Sequence, residues 1–200
     1  MSPAPTPRSV CFFGSASDQA PAPALAAARA FGEACAGRRW RLVYGGSRKG
    51  LMAAAASAAL AAGGEVIGVM PRLLVARELA DPTITRLHVV DSLAERKQMM
   101  ADLADAFVAL PGGVGTLDEL VEMLTWCDLG VHRKPTFLCN VDGFWDPLLG
   151  LIERFRAARM LRPSIAGSLI VVDGAVALID AVGRHLAGAP AADSETSAFG

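Results

Sequence analysis

The sequence predicts an α/β fold: a doubly wound, mainly parallel sheet with helices on both faces. Strand-type and helix-type segments alternate from one end to the other, and most strand segments are continuous apolar runs rather than alternating ones. Strands read this way when helices bury them on both sides, as in parallel sheets. Glycine- and serine-rich turns also follow several of the strands, at the edge where such sheets bind ligands.

In order, Ser9–Phe13 is an apolar strand that runs into the turn Gly14–Asp18. Ala22–Ala36 is an alanine-rich helix closed by Gly37. Arg41–Tyr44 is a strand, and the turn Gly45–Gly50 leads into a helix over Leu51–Ala62 that stops at Gly63 and Gly64. Val66–Met70 is a third strand ended by Pro71, and Arg72–Thr85 has no clear period and reads as a mobile loop. Leu87–Val90 is a fourth strand, after which Ser92 caps a helix carrying Glu95, Arg96 and Lys97. Ala106–Leu110 is the central strand. Pro111 ends it, Gly112, Gly113 and Gly115 form a tight turn, and Thr116 opens a helix over Leu117 to about Leu129 with the capping-box pattern T-L-D-E. Thr136–Asn140, Asp146–Met160, Ser168–Val172 and Ala175–Leu186 complete the alternation as strand, helix, strand and helix.

Residues 1–7 read as a disordered proline-rich lead, 8–187 as a single nucleotide-binding domain and 188–200 as a flexible tail. Of the 200 residues, 52% are hydrophobic and 20% charged, with a net charge of −1. No basic excess argues for nucleic acid, and no apolar stretch is long enough for a membrane helix. Cys11, Cys35, Cys127 and Cys139 show no C-x-x-C spacing and read as thiols in a reducing cytoplasm. His88, His132 and His185 lie far apart, so no metal is expected, and nothing points to a cofactor.

A strand, a glycine turn and a helix N-terminus present unpaired N–H groups and a positive dipole end, which is a phosphate seat. The turn is neither G-x-G-x-x-G nor the P-loop, since no lysine follows Gly115. Around it stand several candidates, each with a plainer alternative. Glu119 lies where a ribose attached to the phosphate would sit, or else it accepts the Thr116 N–H of a capping box. Arg96 and Lys97 grip phosphate or a departing base, or else belong to a solvated helix face. Gly45, Gly46 and Gly50 cradle a base or ribose, or are turn residues. Ser15 and Ser17 offer hydroxyls to a ligand or cap the next helix. Met99, Met100, Met123 and Trp126 are core, or in part line an apolar pocket. Asp118 and Glu122 complement the helix dipole and face solvent.

Taken together, these residues resemble a known family. Pro111–Glu119, P-G-G-V-G-T-L-D-E, is similar to the P-G-G-x-G-T-x-x-E signature of the LONELY GUY (LOG) family, the cytokinin riboside 5'-monophosphate phosphoribohydrolases long labelled lysine decarboxylases. Glu95-Arg96-Lys97 resembles its E-R-K, Tyr44–Met52 its Y-G-G-x-x-x-G-L-M, and Val141–Leu148 its later V-D-G segment. The likeness runs from about Arg8 to Leu186. Ala53 departs from it, standing where many members have glycine.

The resemblance implies a Rossmann-like fold and a homodimer with the active site near the subunit interface. It also implies hydrolysis of the N-glycosidic bond of nucleoside 5'-monophosphates, with Arg96 and Glu119 catalytic and Gly112, Gly113, Gly115 and Thr116 on the 5'-phosphate. The decarboxylase label does not suit the chain, because nothing in it resembles a pyridoxal-phosphate site. Two other readings remain. One is a non-catalytic nucleotide-binding sensor or carrier. The other is a nicotinamide-dependent oxidoreductase, disfavoured by the G-S-A-S-D turn after the first strand.

Overall fold

The computed structural model describes residues 7–77 and 80–188. The lead expected at 1–7 lies outside these residues apart from Pro7, and so does the tail expected at 188–200 apart from Gly188.

Seven parallel strands form one sheet in the order β4-β3-β2-β1-β5-β6-β7. They are β1 (Ser9–Phe13), β2 (Arg41–Tyr44), β3 (Val66–Pro71), β4 (Arg86–Val90), β5 (Ala106–Ala109), β6 (Thr136–Cys139) and β7 (Leu169–Val172). The chain winds outward from β1 to β4, returns across the sheet to β5 on the far side of β1, and continues to β7. The order therefore reverses between β1 and β5, so the helices that follow these two strands pack on opposite faces of the sheet and a crevice opens at the carboxyl ends of the strands. This is the doubly wound parallel architecture that the apolar runs predict.

Side chains alternate across β1 and feed two cores. Val10 and Phe12 face α1 (Ala22–Gly37), α2 (Gly50–Ala61) and α8 (Gly174–Gly188). Cys11 and Phe13 face α4 (Leu93–Leu103) and α5 (Val114–Asp128). Met100 and Met123 are buried in this second core, with Met99 and Trp126 packed against it, as residues at these helical spacings are expected to be. Helices α1 and α2 meet through alanines and Gly32, where a Cβ would strike the Ala55 carbonyl. Only small residues allow backbones to approach so closely.

Several boundaries differ from expectation. Part of the expected mobile loop is a helical turn, α3 (Arg72–Val75), and Ala80 bridges to Ser47; Glu78 and Leu79 lie outside the described residues. Val141–Gly143 is a 3-10 turn with Asp142 at φ 52°, and the last stretch before β7 is a short helix, α7 (Pro163–Ser168). The helix α6 (Asp146–Ala157) ends short of Met160. The consequential correction concerns α5. It begins at Val114, with Gly113 as an N-cap in extended backbone and no side-chain cap, so Thr116 is inside the helix and not at its cap. The capping box in this chain is at α4, where Ser92 Oγ accepts the Glu95 N–H at 3.0 Å and the Glu95 carboxylate accepts the Asp91 N–H at 2.9 Å.

Candidate active site

The crevice at the reversal point is built by three turns held together through their backbones. The Ser15 N–H donates to the Pro111 carbonyl at 3.2 Å, and the Leu51 N–H donates to the Ser15 carbonyl at 2.8 Å. The Gly50 N–H donates to the Asp18 carboxylate at 3.2 Å. Gly50 sits at φ +59°, and a Cβ there would lie 2.5 Å from the Ser15 carbonyl oxygen, so the docking of the second turn on the first requires glycine.

Between these turns is a cavity of about 310 Å³. One end is formed by Gly113, Gly115 and Thr116 at the start of α5, and the opposite wall by Met52, Met70 and Leu74. Gly14, Ser15, Ala16, Gly45 and Ser47 close the sides, and Arg96 and Glu119 project into it. The first N–H groups of an α-helix have no partner within the helix, and α5 has neither a side-chain cap nor an acidic residue in its first turn. Its positive end is thus open to a ligand. A Cβ on Gly113 or Gly115 would meet nothing within 4 Å, so it is free space over the loop, and not protein packing, that these two glycines preserve.

Arg96 and Glu119 meet at 3.0 Å between Nη2 and Oε1, with side chains 13% and 11% exposed. Burial pushes the Glu119 carboxyl up to about 7, against the downward pull of the Arg96 charge; Asp118 adds a smaller upward contribution. The Arg96 Nε is buried without a protein acceptor, leaving a donor unused beside the cavity. Gly45 is what admits the guanidinium: a Cβ there would overlap Arg96 Nη2.

The residues expected at the site separate into groups. Gly45, Arg96, Gly113, Gly115, Thr116 and Glu119 line the cavity. Gly112 does not; it lines a neighbouring cavity of about 260 Å³ with Ser15, Pro111 and Phe144, and its missing Cβ leaves room for the Thr116 side chain. Gly46 is a turn residue at φ +76°, packed on Leu87 and Met70. Lys97 lies outside the cavity, with its ammonium between Asp118 at 3.0 Å and Glu122 at 2.8 Å. Those two carboxylates therefore pair with Lys97 and do not simply face solvent. Ala53 lines a separate cavity, so the departure from the family pattern does not touch this one. Sequence reading placed Gly14 and Ser47 only as parts of candidate turns and missed Met70 and Leu74, which strand order alone brings to the cavity.

The fold and site define a class, a parallel α/β protein with an uncapped helix N-terminus at the switch point and a buried Arg–Glu pair beside it. The family model described as "Possible lysine decarboxylase" matches residues 52–182. A cytokinin riboside 5'-monophosphate phosphoribohydrolase of Rhodococcoides fascians is 44% identical over 88% of this chain and 90% of its own length. One from Mycobacterium tuberculosis is 46% identical over 71% of this chain and 76% of its own. Two rice relatives with "probable" in their names are matched over only 61% and 63% of their length. The chain belongs to this family, the LONELY GUY phosphoribohydrolases. Among solved structures, a molybdenum cofactor binding protein of Rippkaea orientalis superposes with a TM-score of 0.70 at 20% identity, over 90% of this chain and 98% of that one, and shares the fold.

Proposed function

We propose that the protein hydrolyses the N-glycosidic bond of nucleoside 5'-monophosphates, such as isopentenyladenosine monophosphate or AMP, releasing free base and ribose 5-phosphate. The observation that carries this reading is the buried Arg96–Glu119 pair, about one helical turn in from the uncapped start of α5. A 5'-phosphate seated on the N–H groups of Val114, Gly115 and Thr116 puts its ribose beside Glu119 and its base toward Met52, Met70 and Leu74.

Cleavage passes through an oxocarbenium-like state in which positive charge grows on the anomeric carbon. The C–N bond breaks with its electron pair leaving on the base, water supplies the new oxygen at the anomeric carbon, and a proton from that water ends on the base. Ionised Glu119 stabilises the growing charge and orients the water; Arg96 holds the carboxylate in place and directs its spare donor at the phosphate or the departing base. Phosphate binding is remote from the reacting carbon, so it positions the sugar without taking part in the bond change.

The homologues' names and the free thiols Cys11, Cys35, Cys127 and Cys139 support this activity in a reducing cytoplasm. We further propose a homodimer formed across α5. Val114 and Val121 lie two turns apart along it, with Leu129 as its C-cap residue, and the three are 83%, 46% and 64% exposed, on the helix that carries Glu119.

Chromatography of reactions with AMP and isopentenyladenosine monophosphate tests the activity. Free base is expected from the parent, and Glu119→Gln and Arg96→Ala should each be at least about a hundredfold slower. Tight AMP binding with no base released would overturn the enzymatic reading in favour of a nucleotide carrier.

A further inference from the structure

The backbones of α4 and α5 are held mainly by strands and by α7, rather than by each other. Side chains of the second core, Met100 with Leu120 and Met123, lie between the two helices and the sheet. Above that core, among the described residues, the crossing is spanned by ion pairs: Arg96 to Glu119, and Lys97 to Asp118 and Glu122. Two neighbours on one turn of α4 thus hold three carboxylates on one turn of α5. The Lys97 side chain is only 16% exposed and its ammonium is held between two carboxylates of α5, away from the cavity, which it does not line.

We propose that Lys97 is a positioning residue: its bridge to Asp118 and Glu122 fixes α4 against α5 in the register at which Arg96 meets Glu119. The inference rests on the reading of that pair as the reacting centre. A compact ammonium with rotatable donors suits a bridge between two carboxylates, whereas the planar fork of arginine suits a single one. The same charges surround Glu119. Arg96 and Lys97 face it from α4, Asp118 and Glu122 flank it on α5, and the Cys11 thiol on β1, held neutral by burial, lies beneath. Losing Lys97 would both loosen the register and leave two uncompensated negative charges beside the carboxyl.

The test is Lys97→Met, Lys97→Arg and the double variant Asp118→Asn/Glu122→Gln, each followed by steady-state kinetics on AMP and by a carbon-13 titration of the Glu119 carboxyl. In Lys97→Met we expect kcat to fall about tenfold or more with KM within about twofold, since misplacing reacting groups by a fraction of an ångström has effects of this order. The Glu119 midpoint should move to higher pH, and Lys97→Arg, which keeps the charge but not the bridging geometry, should restore the midpoint and only part of kcat. The double variant breaks the same bridge but removes negative charge, so its midpoint should move to lower pH while kcat also falls. An unchanged midpoint in Lys97→Met overturns the proposal, and so does a rise in KM alone, which would put Lys97 on the substrate. If the parent releases no base, the hydrolase reading fails, but the opposed midpoint shifts still decide the bridge, since they need no turnover.

Discussion

The role proposed for Glu119 rests on where its carboxylate is kept. Burial raises its pKa to about 7, from an ordinary value of 4.5, so near neutral pH the group is divided between acid and carboxylate. If the ionised form stabilises the cationic transition state, kcat/KM rises with pH through about 7 and levels off above it. A bound phosphate adds negative charge nearby and should place the corresponding limb of kcat higher still. A pH–rate series on the parent and on Glu119→Asp checks both limbs; activity that falls across this interval would make protonated Glu119 the active form. The same shift has a stability consequence. The folded state holds the Glu119 proton more tightly than the unfolded chain does, so stability is lost as pH rises from about 4.5 through about 7. Melting temperatures over this range should therefore move in favour of Glu119→Gln relative to the parent. Gly45 belongs to the same scale: Gly45→Ala puts a methyl where the Arg96 guanidinium lies, and turnover should fall about a hundredfold without loss of the fold.

At the scale of elements, the contact between α1 and α2 is set by the absence of side-chain volume. Ala27, Ala28 and Gly32 on one helix meet Ala54, Ala55 and Ala59 on the other, all in one buried cluster apart from the glycine itself. A methyl at Gly32 strikes backbone, which cannot rotate away. Gly32→Ala should therefore destabilise by about 1–3 kcal/mol despite its better helix propensity, which a urea midpoint with unchanged m-value would register. Because α2 starts from the turn that docks on Ser15, such a shift should also raise the KM for AMP.

For the whole molecule, the sheet order explains why a small chain has room for a site. Reversal between β1 and β5 sends the helices after these strands to opposite faces of the sheet, and the long return from β4 brings α4, with Arg96, over the same edge. The exposed apolar residues Val114 and Val121 lie on α5, the helix that carries Glu119. If theirs is the face that pairs two copies, Val121→Glu yields a monomer by sedimentation velocity, and base release falls with it if the partner helps close the site. A parent that sediments as a monomer at micromolar concentration would rule the pairing out.

How much of this was legible follows from the range of the interactions. Apolar strand runs and the punctuation of glycine and proline are local, and they determined the α/β class, the strand positions and the phosphate-type turn before β-strand order was known. Two motifs close in sequence, E-R-K and P-G-G-x-G-T-x-x-E, mark Arg96 and Glu119. The T-L-D-E pattern misled because a capping box needs its Thr in extended backbone before the helix; Gly113 holds that position, and Thr116 is already inside α5. Only the tertiary structure decided that Arg96 meets Glu119, that Gly45 makes space for that meeting, and that Lys97 turns away to Asp118 and Glu122. These are contacts between distant segments, chosen by strand order and by packing volume and charge, which no local pattern in the chain encodes.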